Sequence, residues 1–201
     1  MSKKLSNYML TALILIAYLV GSINSAIILS KVLKLPDPRT QGSKNPGATN
    51  MLRIGGKKIA AFVLLIDVWK GLSPILLAYS FTSSSLELSI IALFAFLGHV
   101  YPVFYSFKGG KGVATFIGGL IGINPLVGLS FILIWLFVAK VLNISSLSAL
   151  VATLLTPIVF YFIEMDIEAT GVIALICLWI FFTHRSNIKR LVSGEEGQIN
   201  S

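Results

Sequence analysis

Three polar clusters carry the residue types able to handle phosphate chemistry. The first is PDPRTQGSKNPGATNMLRIGG, residues 36–56. Two glycines, three prolines and two asparagines between Pro36 and Asn50 argue against a regular helix there. Such a segment can turn backbone N–H groups inward as an anion nest around Gly42 and Gly47. Ser43, Asn45, Asn50 and Arg53 would add side-chain donors, and a guanidinium suits bidentate contact with phosphate. The competing reading is an ordinary loop that keeps positive charge for topology, and composition alone does not separate the two.

The second cluster, residues 98–119, contains Lys108, Gly109, Gly110, Lys111 and Gly112 in a row. Glycines let the backbone approach a ligand closely, and a following helix N-terminus favours an anion. The run is no Walker A loop, because Gly112 stands where Ser or Thr should follow the lysine. A flexible turn with snorkelling lysines would fit Lys108 better than Lys111. In the third cluster, residues 181–196, His184 and Asn187 are three apart and share one helical face. An interfacial helix end with a basic tail is the plainer interpretation of that segment. Ser145 and Ser146 open a further helix, where serine often serves as a cap.

Two ionisable residues interrupt an apolar run. Asp67 and Lys70 have the spacing of a pair on one helix face, structural or catalytic. His99 reads as a buried, hydrogen-bonded histidine. Two histidines and scattered acids give no metal-ligand spacing, so no metal is expected. No His is followed five residues on by Asp: those positions hold Phe104 and Lys189. Cys177 has no partner in the chain, so intrachain disulfides are excluded.

The elements that must position these groups are membrane helices. Of 201 residues, 56% are hydrophobic and only 12% charged, with mean hydropathy +0.88. A soluble domain of this size needs more polar surface. The net charge of +8 is spread over short stretches between apolar runs, which argues against nucleic acid and for anionic lipids or phosphorylated small molecules. Lys3 and Lys4 before the first apolar stretch resemble a signal sequence, but that stretch is too long and lacks a clear cleavage site.

Apolar runs at 8–30, 58–80, 86–106 and 125–142 approach the length that crosses a bilayer, and 146–163 and 167–183 are slightly short. The segment 112–123 could be a short span, a re-entrant loop, or part of one long helix with 125–142. The 31–58 loop, the 107–111 turn and the C-terminal segment are rich in Lys and Arg. The connections near 81–87 and 163–168 have none and hold Glu87, Glu164, Asp166 and Glu168. The positive-inside rule then puts the basic loops in the cytoplasm. Lys111 and the basic C-terminal segment fall on one side only if 112–123 crosses. The expected fold is an all-α bundle of seven transmembrane helices, N-terminus outside and C-terminus cytoplasmic, forming a single domain over residues 1–201.

Taken together, the motifs resemble those of the bacterial acyl-phosphate:glycerol-3-phosphate acyltransferases, small polytopic membrane enzymes. The matching strings are GSINSA (21–26), DPRTQGSKNPGATNMLRIGG (37–56), DVWKG (67–71), GHVYPVFYSFKGGKGVAT (98–115), SSLSAL (145–150) and HRSNIKRLVSGEE (184–196). Asn24 stands where many members have Pro, and Lys44 where many have Gly. The resemblance implies seven helices in the bacterial inner membrane and an active site on the cytoplasmic side. It implies acyl transfer from a fatty acyl phosphate to the sn-1 hydroxyl of glycerol 3-phosphate, without cofactor. It carries over Ser43, Arg53, Lys111, His184 and Asn187 as catalytic residues and Glu196 as a structural acid. The glycines, Asn45, Asn50, Lys108 and Ser146 would line the substrate phosphates. A transporter for an organic phosphate and a non-enzymatic regulator of lipid synthesis are the rival classes; a transporter should show internal repeats, and none is convincing.

Overall fold

The computed structural model describes residues 3–199. Among them there is no strand, and nine α-helices follow one another: α1 Lys3–Gly21, α2 Ser25–Val32, α3 Ala48–Ala78, α4 Ser85–Val100, α5 Val113–Ile123, α6 Pro125–Leu142, α7 Ser145–Glu164, α8 Ile167–Thr183 and α9 Arg185–Val192. Helices α3, α4 with the turn that follows it, α6 and α7 are long and apolar enough to cross a membrane. The pairs α1/α2 and α8/α9 also qualify, each as a bent unit, with breaks of 40° and 59°. Helix α5 has 11 residues and rises only about 16 Å, roughly half of a hydrocarbon core.

Three helices depart from the boundaries read in the sequence, each for a local reason. The run 8–30 is broken at Ser22–Asn24. Ser22 Oγ donates to the Tyr18 carbonyl at 2.8 Å, and Asn24 Oδ1 caps the new helix by accepting from Ile27 N–H at 3.0 Å. The break frees the Ile23 carbonyl, which accepts a 2.7 Å hydrogen bond from Lys70 Nζ. The third helix starts ten residues before the predicted 58, at Ala48, and is kinked where Gly56 takes φ 80°. Arg53 is therefore on a helix, not in a loop. Helix α4 stops at Val100, ahead of Tyr101–Pro102, rather than running to 106.

Glycines in α5 serve packing. A Cβ on Gly118 would lie 1.9 Å from the Val68 carbonyl oxygen, and one on Gly71 would lie 2.0 Å from that of Thr115. Only hydrogen fits between α3 and α5, so the two backbones meet directly. Around them Phe96, Phe116, Phe131, Phe160 and Ile75 are fully enclosed and form the main core. Outward-facing Leu15, Leu65, Leu133, Phe137, Phe162 and Leu178 remain exposed in the isolated chain, as lipid-facing positions should be.

A second buried group ties α2 to α3. Asp67 Oδ1 lies 3.0 Å from Lys70 Nζ and accepts from Ser25 Oγ at 2.8 Å. Both side chains are enclosed, and their mutual pairing offsets part of the cost of burying them.

Candidate active site

The short α5 leaves a cavity of about 750 Å³ between α3, α6 and α7, open toward the loops that carry the three clusters. Its floor and sides are apolar, with Val68, Ile117, Ile132, Trp135 and Leu136. Its mouth is polar. Gly42, Ser43, Asn45, Gly47 and Arg53 contribute from the first cluster, Lys111 and Gly112 from the second, and His184, Asn187 and Glu196 from the third. Ser146, at the start of α7, closes the ring.

The first cluster is shaped by Asn50. Its Nδ2 donates to the carbonyls of Pro38 and Gln41 at 2.9 and 3.0 Å, and its Oδ1 accepts from Ser43 N–H at 2.9 Å. Gly42 takes φ 58°, and a Cβ there would strike Asn50 Oδ1 at 2.3 Å. Buried and fully engaged, Asn50 is not part of the cavity wall. It is a brace for the loop, which corrects its expected place among the phosphate donors. The loop ends at Gly47, which opens α3 with no side-chain cap. The uncapped start of that helix faces the cavity through Ala48 and Thr49, an arrangement that favours an anion.

The second cluster is corrected in the same way. Gly109 N–H donates to Val100 O at 3.1 Å and Gly110 N–H to His99 O at 3.2 Å. Their amides are spent on the end of α4, and any Cβ on Gly110 would meet His99 Nε2 at 2.2 Å. Lys108, Gly109 and Gly110 lie off the cavity wall. Gly112, with φ 89° and Phe96 pressed against it, turns the chain so that Lys111 points inward.

Lys111 Nζ donates to Asn187 Oδ1. Asn187 Nδ2 donates in turn to Glu196 Oε1 at 2.6 Å, which also accepts from Ser146 Oγ at 2.7 Å. The other oxygen of Glu196 accepts from Arg190 Nε at 2.6 Å. Glu196 thus joins α7, α9 and the C-terminal segment beneath Lys111. Burial alone would push its carboxyl up, yet the donors from Ser146, Asn187 and Arg190 hold it below the ordinary range. Burial lowers the Lys111 ammonium to about 8, against Glu196, which raises it; Arg190 and Arg53 lower it further.

His184 sits at the bend between α8 and α9, 4% exposed. Its Nδ1 lies 2.8 Å from the Ile180 carbonyl, so Nδ1 carries the proton and Nε2 keeps its lone pair. Burial, then the positive charge of Lys111, lowers its pKa to about 4. The imidazole is neutral at physiological pH. His99 and Asp67 also reach the cavity wall. Contrary to expectation, His99 Nδ1 has no hydrogen-bond partner among the described residues and stands 3.9 Å from Asp67 Oδ1. Among the described residues, no group of three or more His, Cys, Asp or Glu could hold a metal ion.

Two side chains at the mouth stay unengaged. Among the described residues neither Arg53 nor the Ser43 hydroxyl has a hydrogen bond or ion pair. Sequence reasoning missed other wall residues. Thr49 lies within the first motif but was not singled out. Arg190 reaches the cavity from α9, and Glu195 and Ile199 reach it because the C-terminal segment folds back, where Ile199 N–H donates to Asn143 O at 2.8 Å. Trp135 and Leu136 carry no sequence signal that separates them from other lipid-span residues.

Known proteins bear directly on this arrangement. The family model described as glycerol-3-phosphate acyltransferase matches residues 11–194. A glycerol-3-phosphate acyltransferase of Ruthia magnifica subsp. Calyptogena magnifica is 60% identical, over 94% of this chain and 95% of that protein. One from Francisella tularensis subsp. holarctica (strain OSU18) is 46% identical, over 96% and 94%. The crystal structure of PlsY (YgiH), an integral membrane glycerol 3-phosphate acyltransferase, in its glycerol 3-phosphate form superposes with TM-score 0.90 at 38% identity, covering 94% of this chain and 95% of that one. Its lysophosphatidic acid form gives 0.88 at 36% identity, with the same coverage. With its apolar helices and this likeness, the chain is a multi-pass integral membrane protein. It belongs to the glycerol-3-phosphate acyltransferase family and is an enzyme of that class.

Proposed function

We propose that the cavity transfers a fatty acyl group from an acyl phosphate to the sn-1 hydroxyl of glycerol 3-phosphate. The products are 1-acylglycerol 3-phosphate and inorganic phosphate, an early step of phospholipid synthesis. One observation carries this reading: Arg53 and the Ser43 hydroxyl, unpaired among the described residues, stand at the mouth of a cavity whose interior is bounded by Ile117, Ile132, Trp135 and Leu136. A phosphate and an alkyl chain on one donor need that combination. The relatives named for glycerol 3-phosphate supply the acceptor.

Arg53 and Lys111 offset phosphate charge and hold the two substrates in register. The acceptor oxygen attacks the acyl carbonyl carbon, and the bond from that carbon to the phosphate oxygen breaks. An acyl phosphate is a mixed anhydride with a good leaving group, so the reaction proceeds directly, without an acyl-enzyme. Ser43 acts as a phosphate or hydroxyl ligand, a role supported by the lack, among the described residues, of any base in hydrogen-bond contact with its hydroxyl. The acceptor's proton passes to His184 Nε2 or to the donor's own phosphate. Asn187 and Glu196 keep Lys111 in place, with Ser146 and Arg190 as their braces. Gly42, Asn45, Gly47 and Gly112 shape the wall against which phosphate rests. The chemistry asks for no cofactor, metal or nucleic acid.

We further infer seven crossings, with the N-terminus outside and the active site facing the cytoplasm at the bacterial inner membrane. Lys111 and Ser145 line one cavity, at the start of α5 and after α6. Since α6 ends on that face and α7 leaves it, α5 must first carry the chain to the opposite face, from which α6 returns. The basic composition of the cavity's loops assigns that face to the cytoplasm.

Purified protein given palmitoyl phosphate and labelled glycerol 3-phosphate should release lysophosphatidate and phosphate in equal amounts. Absence of both, with uptake of the label into vesicles, would replace this reading by transport.

A further inference from the structure

Lys44 follows Ser43 on the rim of the cavity and forms part of its wall. Its N–H closes a turn onto the Gln41 carbonyl at 3.0 Å, and its φ is 57°. That left-handed conformation favours glycine, and a lysine gains nothing from it locally. Lys34 shares the conformation, with φ 53°, but there it terminates α2 and lies away from the cavity. The Lys44 side chain is exposed and, among the described residues, makes no hydrogen bond or ion pair.

Two nearby acids are paired with arginines, and the third, Glu195, accepts from a hydroxyl rather than from Lys44. Asp37 is gripped by Arg39 at 2.7 Å, Glu196 by Arg190 at 2.6 Å, and Glu195 accepts from Ser193 Oγ at 3.0 Å. Among the described residues, Lys44 and Arg53 stand on one wall with no ion pair to any acid. Their chemistries differ. Arg53 offers a rigid planar fork, whereas Lys44 is a mobile, hydrated point charge. A mobile charge at the entrance of a low-dielectric cleft raises local anion concentration more than it fixes geometry.

We propose that Lys44 receives a substrate phosphate at the entrance and hands it to the Arg53 and Lys111 site. This rests on the reading of the cavity as the acyl-transfer site. The ligand is a singly substituted phosphate dianion, carried by glycerol 3-phosphate or by the acyl phosphate.

The test compares Lys44→Gly, Lys44→Gln and Lys44→Arg with Lys34→Gly as a matched control. Glycine relieves the backbone at both positions, so the fold is kept. KM is measured for glycerol 3-phosphate and for palmitoyl phosphate in neutral detergent across ionic strength. The Gly and Gln variants should raise KM for one of the two substrates roughly three- to tenfold and flatten its salt dependence. Their kcat should change little, and Lys44→Arg should restore both features. Which KM moves identifies the source of the phosphate.

Unchanged KM and salt slope in both Lys44 variants would overturn the proposal. So would an equal effect from Lys34→Gly, or an effect confined to vesicles of anionic lipid, which would point to headgroups. Arg53→Ala, run alongside, separates the two claims. If it is inactive while the Lys44 variants behave as wild type, only the role of Lys44 falls. If it is fully active, the site reading falls as well.

Discussion

The two ends of the bundle treat their polar groups in opposite ways. At the acidic end, Ser84 caps α4, Asn124 caps α6 and Asp166 caps α8. Glu164 there accepts from both Ser85 Oγ and Asn124 Nδ2. The helix starts at that end are closed by side chains. At the basic end α3 starts uncapped, and Arg53, Lys44 and the Ser43 hydroxyl have no partner among the described residues. A helix bundle gains stability by satisfying such groups. An uncapped helix start and open donors gathered around one cavity mark that end as suited to a ligand rather than to cohesion.

The sharpest way to break this contrast is to remove an open group and a closed one. Arg53→Ala should lower kcat/KM by about 10²–10³-fold, with little change in melting temperature in detergent because no hydrogen bond or ion pair among the described residues is lost. Full activity in that variant would make the open end merely a topology signal. Glu196→Ala should come next, at about 10²-fold, because Lys111 and Asn187 lose their brace and shift. Unlike the arginine variant, it should also lower the melting temperature.

The pH profile gives a smaller and more graded test. Burial brings Lys111 to about 8, so its ammonium is present below that pH and lost above it. The kcat/KM should therefore fall about tenfold per unit on the alkaline side. Lys111→Arg should carry that limb to higher pH. His184, lowered to about 4 by burial and Lys111, stays neutral from pH 6 to 9 and should add no limb there. An alkaline limb that survives in Lys111→Arg would assign it to another group.

The smallest catalytic effect belongs to the closed end. Asn124→Ala removes a helix cap and a hydrogen bond to Glu164 and should cost about 1–2 kcal/mol of stability. Its kcat and KM should match wild type. A clear loss of activity without loss of stability would dissolve the distinction between the two ends.

Much of this was legible from residue types. The apolar runs and the segregation of charge gave the helical membrane class, and the motifs led to the wall residues Ser43, Arg53, Lys111, His184 and Asn187. What stayed hidden depends on atoms far apart in the chain. Nothing local reveals that the amides of Gly109 and Gly110 are consumed by the end of α4, or that Asn50 braces its own loop. Glycine looks the same in sequence whether it cradles an anion or lets α5 approach α3. The break at Ser22–Asn24 makes sense only once Lys70 is seen to claim the Ile23 carbonyl. The apolar wall was equally illegible, since Trp135 and Leu136 differ from lipid-facing neighbours only in what stands opposite them.

Binding tests the central claim without the complication of turnover. Glycerol 3-phosphate titrated calorimetrically into the purified wild type, Arg53→Ala and Asn124→Ala should bind wild type and Asn124→Ala alike. Arg53→Ala should bind at least about tenfold more weakly, as loss of a charge-assisted phosphate contact requires. Undiminished binding by Arg53→Ala, or equal weakening by Asn124→Ala, would contradict the view that the unpaired end holds the phosphate.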